Sequence, residues 1–203
     1  MKVFYSKRNH VELVGDRVVK IFLSKTDFNR ETAIYQKLSQ SRSINIPKII
    51  NYNEDENTIT LEYIDGPTVL ELLENLENST QIDQAVQVLL STVLWLEQFY
   101  KVFEGSNQVM GDVNLRNFIW FDSMVFGIDF ESSGNGDITL EEAELFARYL
   151  LYDPIESDFK LEVIKRVMHY MNVQNGFENQ IKTKVESIKL RRDRNKHHIK
   201  YSD

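Results

Sequence analysis

The sequence predicts a two-lobed α+β protein. A small N-terminal antiparallel sheet lobe with one helix (1–65) precedes a mainly helical C-terminal lobe (66–203). Three observations predict it. Short β-branched and aromatic runs separated by polar turns fill the first third of the chain. Asp65-Gly66-Pro67 then breaks the pattern, because Gly followed by Pro ends a strand and redirects the chain. Beyond it, apolar residues recur at helical spacing, interrupted by one apolar hairpin at 118–130.

The elements follow in order. Residues 3–5, 10–14 and 17–22 read as strands, and Gly15-Asp16 is a hairpin turn in which glycine supplies positive φ. Phe28, Ala33, Ile34 and Leu38 set a helix over 27–40, with Thr26 or Asp27 as its cap. Ile46-Pro47 opens a second hairpin, with strands at 48–52 and 58–64 around the acidic turn 53–57. After a short helix at 69–77, a long one over 81–103 carries a broad apolar face that includes Leu89, Val93, Leu94, Leu96 and Phe99. A glycine-rich loop at 132–136 and helices near 140–151, 158–171 and 177–192 complete the chain.

At 203 residues the chain can bury a full core. It has no cysteine, which excludes disulfides, thiolate metal sites and cysteine nucleophiles. No run of about 18 apolar residues exists, and Met1-Lys2 leads into a strand rather than a signal peptide. A cytoplasmic protein with no membrane contact is expected. The net charge of −7 hides a basic tail: residues 182–200 carry +6, leaving about −13 on the rest. An acidic body argues against general nucleic-acid binding. The tail reads as a solvated helix end, or as a contact for RNA, an acidic partner or the chain's own acidic body.

The chemistry concentrates in 110–131. Asp112 lies in a loop between a long helix and the apolar run Phe118-Ile119-Trp120-Phe121, a poor place for a casual turn-former. Asn117 immediately precedes that run. A turn at Asp122-Ser123 returns the chain along 124–128, so hairpin geometry alone brings Asn117 beside Asp129. Paired oxygen ligands at the open end of a hairpin suit Mg²⁺ rather than a softer metal. One carboxylate to orient a hydroxyl plus oxygen ligands for Mg²⁺ is what phosphoryl transfer needs. In the sheet lobe, Lys20 within 17–22 taken alone is an ordinary outward-facing lysine, and Glu31 a solvated helix acid. A helix packed on the sheet would instead aim Glu31 at Lys20, fixing an ammonium for phosphate oxygens.

The ordered set Lys20, Glu31, Leu61-Glu62-Tyr63-Ile64-Asp65-Gly66, Gly111-Asp112 to Asn117, and Ile128-Asp129-Phe130-Glu131 resembles the protein-kinase-like superfamily over roughly 10–152. It most resembles the atypical branch of aminoglycoside phosphotransferases, RIO kinases and the small kinase of the KEOPS complex. Gly111 before the acid and Glu131 after Asp129-Phe130 favour that branch. The resemblance implies a protein-kinase-like fold binding ATP and Mg²⁺. Lys20, anchored by Glu31, would hold the α- and β-phosphates, and backbone groups of Glu62 and Ile64 would bind adenine. Asp112 would orient the acceptor hydroxyl, Asn117 and Asp129 would ligate Mg²⁺, and Arg116 would help neutralise the transferring group. The chain departs from the family at Met110, where His is usual, and in lacking a glycine-rich phosphate loop. The basic turn Ser6-Lys7-Arg8-Asn9 stands in its place. Glu141 and Glu142 lie near where relatives often carry Asp, and are expected to be structural.

The implied function is an ATP- and Mg²⁺-dependent phosphotransferase acting on a hydroxyl. The short helical lobe leans toward a protein serine or threonine over a small molecule. The alternative is a pseudokinase, a kinase-fold binding module without turnover, in an RNA-associated complex.

Overall fold

The computed structural model describes residues 2–4, 8–171, 173 and 175–199. Five antiparallel strands, β1 (Lys2–Phe4), β2 (Asn9–Val14), β3 (Arg17–Phe22), β4 (Ile49–Asn53) and β5 (Thr58–Glu62), form a sheet in the order β1-β2-β3-β5-β4. The Gly15 turn joining β2 to β3 has φ +64, as expected from its sequence. Helix α1 (Lys25–Leu38) packs against β3 and β5. Its cap is Ser24, whose hydroxyl accepts the Asp27 N–H at 3.3 Å. Neither Thr26 nor Asp27 is the cap; Asp27 sits in the first turn, where a negative charge suits the helix dipole.

The pleat of β3 places Lys20 and Phe22 inward, 6% and 3% exposed, and leaves Ile21 outward at 37%. The ordinary outward lysine is therefore not what the strand presents. Burying an ammonium while exposing an isoleucine reverses the usual preference and needs a compensating partner.

Capped by a reciprocal Thr68–Glu71 box, α2 (Val69–Asn78) begins the helical lobe. Helix α3 (Ile82–Val102) runs through its core, with Leu89, Val93, Leu96 and Phe99 fully buried. Leu94 departs from the expected apolar face: it is 47% exposed, and Trp95 takes the buried stripe instead. Strand β6 (Gln108–Val109) pairs with β9 (Gly134–Asn135), so part of the expected glycine-rich loop is a strand. Strands β7 (Phe118–Phe121) and β8 (Met124–Gly127) form the expected hairpin, with Asp122 and Ser123 both at positive φ in its turn. Helices α4 (Ile138–Leu150), α5 (Asp158–Met171) and α6 (Phe177–Ile199) follow, and α6 packs along α4. Among the described residues, no helix is long and apolar enough to cross a membrane.

The two halves meet through aromatic rings. Phe130, fully buried, packs edge-on to Tyr35 of α1 at 4.9 Å and stacks with Trp95 and Phe99 of α3 at 6.2 and 6.1 Å. Such ring pairs add stability beyond their buried area. Here they fix the backbone on either side of Phe130, where Asp129 and Glu131 lie.

Candidate active site

Lys20 is the compensated ammonium. Its Nζ lies 2.8 Å from Glu31 on α1, 2.6 Å from Asp129 and 3.0 Å from Glu131. Burial alone would push its pKa down, but the carboxylates of Glu31, Asp129 and Glu131 outweigh that and the net shift is up. Glu31 is 1% exposed, and burial pushes its carboxyl up against the pull of Lys20. Glu31 and Lys20 thus meet as the α1 geometry suggested, while the contacts to Asp129 and Glu131 tie the sheet lobe to the hairpin. Two further bonds reinforce that tie: Asn9 Nδ2 donates to the Glu131 carboxylate, and Arg30 Nη1 donates to the Glu131 carbonyl at 2.6 Å. Asp129 sits at φ +65, in the left-handed region that non-glycine residues rarely adopt. Strain of this kind persists where surrounding contacts over-determine it.

The loop carrying Asp112 is held from below. Gly111 has φ +86, and a Cβ there would overlap the Ser132 carbonyl oxygen, so only glycine fits. Glu141, near the start of α4, accepts the N–H groups of Met110 and Gly111 at 2.9 and 2.6 Å and the Tyr100 hydroxyl at 3.0 Å. Ser133 donates to the Met110 carbonyl at 3.0 Å. Met110 is fully buried in the core and supports the same loop through apolar packing. Glu141 is therefore structural as expected, and its task is to fix the residues leading into Asp112.

A 3₁₀ turn, Leu115–Asn117, follows Asp112 and sets Asn117 at the root of β7. Asn117 Nδ2 donates to the Asp112 carbonyl at 2.9 Å and to its carboxylate at 3.3 Å. The Asn117 carbonyl accepts the Ile128 N–H at 2.9 Å, so the hairpin brings Asn117 beside Asp129. Burial pushes the Asp112 carboxyl up, while Arg148 of α4, 3.1 Å away, pulls it down. Arg148 in turn bonds Glu144 at 2.8 Å, and Glu144 bonds Lys184 of α6 at 2.9 Å. Arg116, expected beside the transferring group, is exposed and lies over the Tyr152 ring at 5.7 Å.

At the hinge, the Glu62 N–H bonds the Lys48 carbonyl at 2.9 Å and the Gly66 N–H bonds the Ile64 carbonyl at 3.0 Å. Those bonds use neither the Glu62 carbonyl nor the Ile64 N–H. The hinge abuts the hairpin, because Trp120 N–H donates to the Pro67 carbonyl at 2.9 Å.

The oxygens of Glu31, Asp129 and Glu131 lie within 4.8 Å of one another, but the cation among them is the Lys20 ammonium. The remaining oxygens of Asp129 and Asn117 are hard, neutral-to-anionic donors and fit Mg²⁺. Ser6 and Lys7 of the Ser6–Asn9 turn lie outside the described residues; Arg8 is exposed and Asn9 is tied to Glu131. In the basic tail, Lys184, Lys189 and Arg192 bond the chain's own Glu144, Glu156 and Leu151 carbonyl. The side chains of Lys196, His197 and His198, with Lys200 and Tyr201, lie outside the described residues.

No family model and no curated protein matches the sequence. Solved structures do match the fold. The aminoglycoside phosphotransferase APH(2")-IIa, solved with streptomycin and ATP, is 16% identical with a TM-score of 0.55, covering 90% of this chain and 82% of that one. Amicoumacin kinase hAmiN, solved with AMP-PNP, Ca²⁺ and amicoumacin, is 13% identical with a TM-score of 0.61, over 88% and 72%. A choline/ethanolamine kinase family protein from Mesorhizobium loti is 12% identical with a TM-score of 0.53, over 93% and 86%. The chain has the protein-kinase-like fold that these small-molecule kinases share. Nothing in these matches singles out the RIO or KEOPS kinases.

Proposed function

We propose that this chain is an ATP- and Mg²⁺-dependent phosphotransferase acting on a hydroxyl, with the lobes 1–65 and 66–203 enclosing the nucleotide. One observation carries the proposal: a buried lysine held at once by Glu31 from the sheet lobe and Asp129 from the hairpin. Folding alone does not require an ammonium among three carboxylates, and replacing such groups by apolar ones is commonly neutral or stabilising.

In this reading Lys20 holds the α- and β-phosphates, with Glu31 fixing its position. Adenine is read by the Glu62 carbonyl and the Ile64 N–H. Bound Mg²⁺, held by Asn117 and Asp129, would neutralise charge on the phosphates. Asp112 accepts the proton as the acceptor oxygen bonds the γ-phosphorus, and the bond to the bridging oxygen breaks with its electron pair leaving on ADP. Asn117, bonded to Asp112, keeps that carboxylate oriented. A chain without cysteine that uses ATP suits the cytoplasm.

The sequence reading favours a protein serine or threonine as acceptor. The fold neighbours, named for small-molecule substrates and matched over 72–86% of their own chains, weigh the other way. We therefore place a small-molecule hydroxyl first. No observation favours RNA, since the described basic residues of the tail that bond carboxylates bond the chain's own.

A pseudokinase is the second reading. It is favoured by the single glycine before Lys20, Gly15, which lies in the β2–β3 turn rather than over the phosphates. Phosphate transfer from labelled ATP separates the two. Asp112→Ala retaining ATP binding while losing transfer supports the enzyme; nucleotide binding with no transfer by the wild type to any hydroxyl supports the pseudokinase.

A further inference from the structure

Three arginines from three elements gather around Tyr152, and one of them touches Asp112. Arg148 of α4 touches the Asp112 carboxylate at 3.1 Å. Arg116, in the turn after Asp112, lies over the Tyr152 ring at 5.7 Å. Arg192 of α6 folds back, its Nη1 donating to the carbonyl of Leu151 at 3.1 Å. Tyr152 joins them, its hydroxyl donating to Asn114 Oδ1 at 2.6 Å, two residues beyond Asp112. All three guanidiniums act electrostatically on the Tyr152 hydroxyl.

Tyr152 is itself held firmly. Its carbonyl accepts from the buried Lys160 ammonium at 3.0 Å, and Lys160 pairs with Glu77 at 3.0 Å. The platform is therefore held in place, while two of its cations lack a carboxylate partner among the described residues. Among the described residues, Arg148 has Asp112 and Glu144 as carboxylate partners, whereas no carboxylate pairs with Arg116 or Arg192. Both are exposed on a body whose other regions are acidic. Like charges gathered without partners repel one another, and the arrangement is stabilised when an anion joins them. Guanidinium forks match phosphate oxygens in particular.

We propose that Arg116, Arg148 and Arg192, set around Tyr152, form a subsite for an anionic group on the acceptor, so that the molecule phosphorylated at Asp112 is a hydroxyl compound already carrying a phosphate. This deepens the phosphotransferase reading and rests on it for the position of the reacting hydroxyl. Arg148 bridges the two functions: it contacts Asp112, so the anionic group would lie close to the hydroxyl being phosphorylated. A cationic acceptor would be repelled by the same wall.

The test uses matched probes: glycerol 3-phosphate, glycerol and choline. Binding of each is measured by calorimetry, with and without saturating AMP-PNP and Mg²⁺, to the wild type and to Arg116→Ala/Arg192→Ala. Both arginines are exposed, so the variant should fold, and circular dichroism with the melting temperature checks it. The expected result is binding of glycerol 3-phosphate alone, weakened on the order of tenfold or more in the variant. Transfer from ATP should follow the same order. Wild-type binding of all three probes alike, no binding of glycerol 3-phosphate, or equal affinity in the variant would overturn the subsite. AMP-PNP binding with no phosphate-ester binding sinks this inference alone. Phosphate-ester binding lost in the variant but no AMP-PNP binding sinks the phosphotransferase reading and keeps the anion site.

Discussion

Replacing Lys20 by methionine should destabilise the fold severely, well beyond the effect on any reaction. The Lys20 ammonium lies 2.6–3.0 Å from three carboxylates whose oxygens are within 4.8 Å of one another. Methionine fills similar volume but leaves Glu31, 1% exposed, without its cation. Removing one partner of a buried ion pair costs about 3–5 kcal/mol. At roughly 2–4 °C per kcal/mol for a chain of this size, the melting temperature should fall by about 6–20 °C. Two controls fix the cause. Lys20→Met/Glu31→Gln should recover part of the loss, because it removes a charge from the cluster. The deficit should also shrink as pH falls. Without Lys20 the Glu31 carboxyl rises further above its unfolded value, the folded state binds the extra proton, and stability returns below that raised value. Differential scanning fluorimetry of the three proteins between pH 5 and 8 measures this. A Lys20→Met shift under about 2 °C, or a double variant no better than the single one, would refute the account of the cluster.

Other outcomes follow from the same contacts. Glu141→Ala should cost about 2–4 kcal/mol in urea unfolding, because it strips the acceptor from two N–H groups of the Asp112 loop. Glu141→Gln, which still offers one acceptor oxygen, should lose less. Gly111→Ala should damage the same loop, since its Cβ would overlap the Ser132 carbonyl and φ is +86; crystallography or proton NMR would register the displaced loop. Glu142 has its carboxyl pushed up to about 7 by burial, then by Glu97 and Glu141. The folded protein therefore binds a proton the unfolded chain has lost between about pH 4.5 and 7, and stability falls as pH rises through that window. Glu142→Gln should flatten this slope and gain about 1 kcal/mol at pH 7.5, after discounting for partial exposure. Melting curves against pH check both parts.

Much of the fold was legible because local signals agreed. Gly15-Asp16, Asp65-Gly66-Pro67 and the paired apolar runs around Asp122-Ser123 each fix a turn by backbone chemistry. The meeting of Asn117 with residue 128 followed from the hairpin alone. The meeting of Lys20 with Glu31 needed one assumption, that α1 packs on the sheet. Other features depended on distant pairings. The strand at Gly134–Asn135 exists because it meets Gln108–Val109, and a two-residue strand carries no period of its own. The burial of Trp95 rather than Leu94 reflects contacts with Phe118 and Phe130. Within the site, the contacts of Glu131 with Lys20, Glu141 with the Asp112 loop and Arg148 with Asp112 carried no local signal. Glu131 marked a family likeness, but its contact with Lys20 spans 111 residues of sequence. Arg148 falls on an amphipathic helix, where an arginine in the last turn suits the dipole. Its pair with Glu144 is local, one turn away on the same helix, and only packing of α4 against the Asp112 loop adds Asp112.

Nucleotide binding tests the central claim most directly. Calorimetric titration of AMP-PNP with Mg²⁺ should give saturable binding to the wild-type chain, abolished or greatly weakened in Asp129→Asn and retained in Asp112→Asn. The absence of any heat with the wild type, at nucleotide concentrations up to several millimolar and with the fold intact, would contradict a phosphotransferase built on Lys20, Glu31, Asn117 and Asp129 (~4 kcal/mol, the millimolar limit of affinity).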